Sequence, residues 1–164
     1  MARRPRRPQE LLHLLTRAER LSVGRIRSVL DAFDCSVEAW RVLDLLSDGE
    51  GHSMTALADH AFLPAPTLTK LMDQLVDQNL VFRRIDPADR RRVLAQLTPR
   101  GTQRWQQVSR AVRADWDEAG FPAGEGEEEE EELKALLDQL AGALEGRDGP
   151  FTTARAERGV GRGR

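Results

Sequence analysis

Over most of the chain apolar residues recur at spacings of three and four, the signature of helices with one buried face. The first such stretch runs from Glu10 to about Phe33 through Leu11, Leu14, Leu15, Ala18, Leu21, Ile26, Val29, Leu30 and Phe33. It is too long and too apolar for a lone surface helix, so part of it needs a partner. Asp34-Cys35-Ser36 breaks it. A second helix is predicted from Val37 to about Leu46, with Val37, Trp40, Leu43 and Leu46 as buried candidates. Ser47-Asp48-Gly49-Glu50-Gly51 ends it with turn residues.

The most informative stretch is Ser53 to Gly101. Ser53 suits an N-cap, because its hydroxyl can accept an orphan first-turn N–H, and Leu57, Ala58 and Ala61 then share one face. After a turn at Phe62-Leu63, a second helix opens at Pro64-Ala65-Pro66, where prolines leave no N–H unsatisfied. Leu68, Leu71, Met72 and Leu75 form its inward stripe. Thr67, Thr69, Lys70, Gln74 and Gln78 point outward, small, polar or basic, as on a helix offered to the major groove. Two β-prone runs follow, Leu80–Ile85 and Val93–Leu97, joined by Asp86-Pro87-Ala88-Asp89-Arg90-Arg91-Arg92. From Arg83 to Arg104 there are seven arginines against two aspartates, a local charge of +5. A loop of this kind can insert an arginine into a narrow minor groove, where the negative potential is enhanced. The plainer reading is a solvated hairpin, and its place directly after the helix pair favours DNA.

Beyond the hairpin, Thr98 is a plausible N-cap with Pro99 at the first helical position. Trp105, Val108, Val112, Trp116 and Ala119 then form a seam suited to another helix. Gly120 to Gly126 interrupts with glycine and proline, and Glu127–Glu132 leads into Leu133, Leu136, Leu137, Leu140 and Leu144. Six successive glutamates favour the positive end of a helix yet repel one another. The tail from Gly146 reads as disordered, as do the first nine residues with Arg3, Arg4, Arg6 and Arg7, either a phosphate-seeking arm or a solubilising tail.

Charge at first argues against a nucleic-acid partner, since the net value is −2. Distribution resolves this. Residues 115–138 hold eleven acidic side chains and one lysine, a balance of −10 that masks the basic segments. Screening acts over roughly 8–10 Å in physiological salt, so the acidic block must lie far from any DNA-facing surface. A length of 164 residues fits one domain with tails, and 40% hydrophobic residues suffice for a core. No run of about 18 apolar residues and no signal-peptide pattern is present, so a membrane span is not expected and the expected location is cytoplasmic. A single cysteine, Cys35, agrees with a reducing compartment. Asp31 and Asp34 beside it would raise its pKa, which speaks against a sensitive thiolate. No nucleophile elbow, phosphate-binding glycine loop or zincin motif is found, so neither an enzyme nor a cofactor is expected. His13, His52 and His60 lack paired ligand spacing, so no metal site is expected.

The residues from Leu80 to Gly101 resemble the MarR family, the multiple antibiotic resistance regulators. Its members carry a basic strand, a D-x-x-D-R-R wing tip and a strand running into L-T-x-x-G. Here these are Arg83-Arg84, Asp86-Pro87-Ala88-Asp89-Arg90-Arg91 and Leu97-Thr98-Pro99-Arg100-Gly101. The chain departs at Pro64, where the family often has a capping serine or threonine. The resemblance implies a mainly α fold with a small β-hairpin wing, a winged helix-turn-helix plus a helical dimerisation lobe. The corresponding boundaries are a basic arm at 1–9, an N-terminal dimerisation helix at 10–35, the DNA-binding domain at 36–100, C-terminal dimerisation helices at 101–145 and a tail at 146–164. An intramolecular three-helix bundle is the alternative to dimerisation. The implied DNA-binding set is Ser53, Thr55, Pro66, Thr67, Thr69, Lys70, Gln74, Arg84, Asp89, Arg90 and Arg91. In it Arg91 enters the minor groove, Asp89 holds its guanidinium, and Arg84 supports the strand. Trp40 and Arg41 are assigned to an effector pocket for a small aromatic or phenolic acid. The implied function is a sequence-specific regulator, a repressor binding a palindromic operator in double-stranded DNA as a homodimer. The alternative is a winged-helix module that binds protein partners.

Overall fold

The computed structural model describes residues 8–120 and 127–145. The expected arm, the Gly120–Gly126 interruption beyond its first residue, and the tail from Gly146 lie outside them, save that Pro8 and Gln9 already belong to a helix. The first body contains α1 (Pro8–Asp31), α2 (Val37–Leu45), β1 (His52–Ser53), α3 (Met54–Ala61), α4 (Ala65–Asp77), β2 (Val81–Ile85), β3 (Val93–Leu97) and α5 (Pro99–Glu118). A second unit holds α6 (Glu127–Glu145). The fold is mainly α with a small antiparallel sheet.

Local chemistry explains most boundaries. The hydroxyls of Ser36 and Ser53 accept from the amides of Ala39 and Ala56 and start α2 and α3. Asp34, Phe62 and Asn79 adopt left-handed backbone at the turns after α1, α3 and α4. The sheet departs from the hairpin expected. Its order is β1-β3-β2, because His52 and Ser53 pair with Ala95 and Leu94 along the open edge of β3. Two residues are too few to leave an alternating pattern, so this strand has no sequence signature.

Two cores form. The larger joins α2, α3, α4 and the sheet through Val42, Leu43, Leu46, Leu57, Leu68, Met72, Leu75 and Val81. The smaller joins α1, α2 and α5 through Leu30, Val37, Val108 and Val112, with Val23, Ile26 and Phe33 against it. This changes the reading of the α5 seam. Val108 and Val112 are buried within the chain, and Trp105 packs on the larger core while its indole N–H donates to Asp44. Trp116 is half-buried and lies outside both clusters, and Ala119 is exposed. Arg25 on α1 also pairs with the Asp115 carboxylate at 2.6 Å, tying α1 to α5. Leu11, Leu12, Leu14 and Leu21 remain exposed on the N-terminal half of α1. On α6, Leu133, Leu136, Leu137 and Leu144 are exposed as well.

One junction holds the strand-to-helix corner. The Thr98 amide donates to the Leu80 carbonyl at 3.0 Å, and its hydroxyl donates to the Asn79 carbonyl at 2.7 Å. The same hydroxyl accepts the Gly101 amide at 2.9 Å and so caps α5. A Cβ on Gly101 would stand 1.9 Å from the Leu80 oxygen, a distance that no packing tolerates. The Thr-Pro-x-Gly run therefore records a backbone contact between α5 and the end of α4. Gly101→Ala is expected to cost roughly 1–3 kcal/mol through overpacking. That is a fall in Tm of roughly 2–12 °C for a chain of this size. Exposed Arg100→Ala should leave the melt unchanged, and an unaltered Tm for Gly101→Ala would show that the corner yields freely.

Candidate nucleic-acid interface

The outer face of α4 arises from its apolar period. Leu68, Met72 and Leu75 take the core, so Pro66, Thr67, Thr69, Lys70, Gln74 and Gln78 are left exposed. Pro64 occupies the cap position with no side-chain bond, and its carbonyl accepts the amides of Thr67 and Leu68 at 3.0 Å. The Thr69 hydroxyl donates to the Ala65 carbonyl at 2.9 Å and is thus engaged within its own helix. Lys70 sits near the crest, opposite the buried stripe, and has no intrachain partner among the described residues. The two flanks of the helix differ. Asp73, on one side, pairs with Arg83 of β2 at 2.7 Å, whereas Gln74 and Gln78 border a cleft on the other. On α3, Thr55 is exposed, while half-buried Ser53 uses its hydroxyl as the cap.

The wing tip is built by backbone bonds. Val81↔Leu97 through Ile85↔Val93 set the β2–β3 register. At the end of the ladder the Asp86 amide donates to the Arg92 carbonyl at 2.9 Å, and the buried Asp86 carboxylate accepts the Ala88 amide at 2.9 Å. The Asp89 carboxylate accepts the Arg91 backbone N–H at 3.0 Å, and the Asp89 carbonyl accepts the Arg92 amide at 2.9 Å. This corrects one expectation. Asp89 holds the backbone of Arg91, not its guanidinium, because a short carboxylate reaches the amide two residues on with little loss of freedom. Arg90 and Arg91 project from this turn, exposed and without intrachain side-chain partners among the described residues. Arg84 lies half-buried on β2, with a buried Nε that has no partner among the described residues.

The assignment of Trp40 and Arg41 to a common pocket also changes. The Trp40 indole packs on the smaller core and donates to the Ser109 hydroxyl at 3.4 Å. The Arg41 guanidinium lies over the Phe62 ring, 5.4 Å from its centroid. Neither residue lines the cleft of about 510 Å³ found between α1, α2, α4 and α5. Successive residues of a helix point about 100° apart, so α2 turns Ala39 and Leu43 toward the cleft and Trp40 and Arg41 elsewhere. Cys35, on the cleft wall, has its thiol pKa pushed up chiefly by burial; Arg104 opposes this and Asp34 adds to it. The direction matches the sequence reading, but desolvation is the main cause and Asp31 has no part. Among the described residues no three His, Cys, Asp or Glu side chains gather as metal ligands. No helix of these residues is long and apolar enough to cross a membrane.

Sequence reasoning did not find Asp73 or Arg83 as its partner, and it expected a pocket between the dimerisation helices and the DNA-binding lobe but put Trp40 and Arg41 on its wall. Opposite charges ten residues apart, on a helix and the following strand, were the available signal for the first.

Residues 33–92 match the family model described as "MarR family". Over 127 residues the chain is 28% identical to "HTH-type transcriptional regulator FarR" of Neisseria gonorrhoeae, covering 77% of this chain and 86% of that protein. The crystal structure of NadR in complex with 4-hydroxyphenylacetate superposes with a TM-score of 0.72 at 25% identity, over 86% of this chain and 96% of NadR. A structure of the repressor CouR bound to a 23-mer DNA duplex has a TM-score of 0.65 at 23% identity, over 82% and 92% of the two chains, a likeness of fold.

The wing geometry makes Asp89 testable. Asp89→Asn keeps a side-chain oxygen for the Arg91 amide and loses the charge, whereas Asp89→Ala loses both. Affinity for duplex DNA, read by fluorescence anisotropy, should be close to wild type for Asn and lower for Ala. Equal losses in the two variants would return the role to the charge.

Proposed function

We propose that the chain is a MarR-type winged helix-turn-helix transcriptional regulator, a non-enzymatic DNA-binding protein, and that it represses transcription from a palindromic operator as a homodimer, released by a small aromatic or phenolic acid. The observation that carries this reading is the pairing of Asp73 with Arg83. It joins the exposed face of α4 to the wing, so that Lys70 and the two tip arginines, Arg90 and Arg91, are presented from one connected surface. An exposed pair of this kind contributes little to stability, but it orients both elements. Thr67, Lys70 and Gln74 then read base edges in the major groove, with Pro66, Thr69 and Thr55 beside them. Arg91 enters the minor groove, Arg90 meets phosphate, Asp89 shapes the tip, and Arg84 and Ser53 support strand and helix.

The domain division follows from the same reading: residues 36–100 for DNA, and the helices on either side for the dimer. The exposed leucines of α1 and α6 support that assembly, and Trp116 is the one large residue of the α5 seam outside both cores. A small aromatic acid is not held jointly by Trp40 and Arg41, which turn to the smaller core and to Phe62. It could release DNA only through a higher affinity for the arrangement in which the two reading heads no longer match the operator. A DNA-binding regulator works where its operator is, and on this reading the protein is cytoplasmic.

The test begins with genomic fragments retained by the purified protein. Fragments sharing an inverted repeat, with affinity falling steeply as salt rises, are expected. Retention without a shared sequence would favour a protein-binding module. On the selected operator, Lys70→Ala should weaken binding and relax preference at one position, by about 1–3 kcal/mol for a bidentate contact. Arg91→Lys should lose most of what Arg91→Ala loses, because lysine lacks the planar fork and keeps its hydration. Full recovery by lysine would reduce Arg91 to a point charge. In sedimentation the wild type should run as a dimer at micromolar concentration and Trp116→Asp as a monomer, since a lone charge on a buried seam is costly. A wild-type monomer would refute the assembly.

A further inference from the structure

The chain holds 25 lysine and arginine residues, and all but two of them are arginines. The exceptions are Lys70, on the crest of α4, and Lys134, on α6. The difference is chemical. A guanidinium stays protonated and keeps its charge, whereas an ammonium can lose a proton and become a nucleophilic amine. Of the cations on the proposed DNA-facing surface, Lys70, Arg90 and Arg91, Lys70 alone can be neutralised by acylation.

The two lysines stand in opposite surroundings. On a helix surface a side chain meets those three and four positions away. For Lys134 two such neighbours are Glu130 and Glu131, whose carboxylates bond its ammonium at 2.7 and 2.9 Å. These bonds, that with Glu130 first, push its pKa above the ordinary lysine value and keep the nitrogen protonated. For Lys70 the neighbours are Pro66, Thr67, Asp73 and Gln74. The single carboxylate among them, Asp73, is engaged by Arg83 at 2.7 Å. The pairing that joins α4 to the wing therefore leaves Lys70 exposed and without an ion pair among the described residues.

We propose that Lys70 is an acylation site, at which an acyl phosphate switches off the reading of DNA by α4; this rests on the function proposed for the chain. The crest lies outside the cleft, and a small donor that reacts on collision suits so open a position. The neutral Lys70 Nζ attacks the acyl carbonyl and an N–C bond forms. The C–O bond to phosphate breaks, inorganic phosphate departs, and the nitrogen gives its proton to water. The product amide has no charge and one N–H in place of three. The wing arginines are untouched. The modified protein thus keeps its hold on phosphate and the minor groove and loses a contact in the major groove.

The full, DNA-free chain is treated with acetyl phosphate, and the sites are followed by peptide mass mapping, which separates both lysines from the α-amine. Lys70 should be acetylated roughly three- to ten-fold faster than Lys134, whose exposed glutamate bonds are screened by water. In a Lys134→Arg background Lys70 is the one lysine left, and that protein is titrated before and after treatment with selected operator and random duplex. Operator affinity should fall roughly five- to a hundred-fold on acetylation, and affinity for random duplex by much less. A Lys70→Arg variant should have the same affinity before and after treatment. Acetylation of Lys134 at an equal or higher rate overturns the proposal, and so does an operator affinity that acetylation of Lys70 leaves unchanged. Loss of affinity by treated Lys70→Arg, to the extent seen in wild type, also overturns it, because the effect then arises at another site. An untreated chain that retains no common sequence sinks the operator reading itself. The two acetylation rates, read without DNA, still decide in that case whether Lys70 is the site.

Discussion

The corner where α4 ends and α5 begins is the constraint on which the rest of the first body depends. Thr98 gathers the carbonyls of Asn79 and Leu80 and caps α5 with the same hydroxyl. Gly101 lets the backbone of α5 come within reach of Leu80, where any side chain would collide. Through that one contact the exit of α4, the base of the wing and the first turn of α5 share a position. The wing is thereby anchored at its root by hydrogen bonds that are buried and satisfied, the condition under which such bonds stabilise most. Its direction relative to α4 is then trimmed at the surface by Asp73 and Arg83.

From this corner the molecule extends in two ways. Toward the wing tip, order is supplied by main-chain bonds of the Asp86 and Asp89 carboxylates, which leave the arginines themselves free. That division suits a surface that must meet a polyanion: the turn is made rigid in advance, and the guanidinium groups keep their donors for the partner. Toward α5, order is supplied by apolar burial. Val108 and Val112 meet Leu30 and Val37, and Arg25 pairs with Asp115 at the far end of the contact. The small core thus connects α1 to the larger core through α2, and the cleft lies at that meeting point.

The electrostatics follow the same plan. A chain with a net charge of −2 still presents arginines where the wing projects, because the acidic residues are concentrated from Asp115 onward. On α6, Lys134 bonds Glu130 and Glu131 at 2.7 and 2.9 Å, which holds its pKa above the ordinary lysine value and relieves part of the glutamate repulsion. These pairs are exposed and contribute little to stability. Their effect is local.

The sequence alone determined the elements whose cause is local. Ser36 and Ser53 as caps, the inward stripe Leu68–Leu75, the two strands and their basic loop, and Thr98 before Pro99 all depend on neighbours within a few residues. Period and capping chemistry therefore display them in one dimension. The reading of the α5 seam as one surface failed, because a stripe at helical spacing records that a face is buried and not by what. Val108 and Val112 found α1 of the same chain, while Trp116 stayed outside both cores. The two-residue strand at His52, the bond from Asp89 to a backbone amide and the placement of Arg41 over Phe62 were equally invisible. Each is a choice among partners of similar chemistry, and distance in the folded chain makes that choice. The cleft is the clearest case. Its wall joins Asp31 and Asp34 to Gln74 and Gln78, residues some forty positions apart, and only the packing of α1, α2, α4 and α5 brings them to one opening.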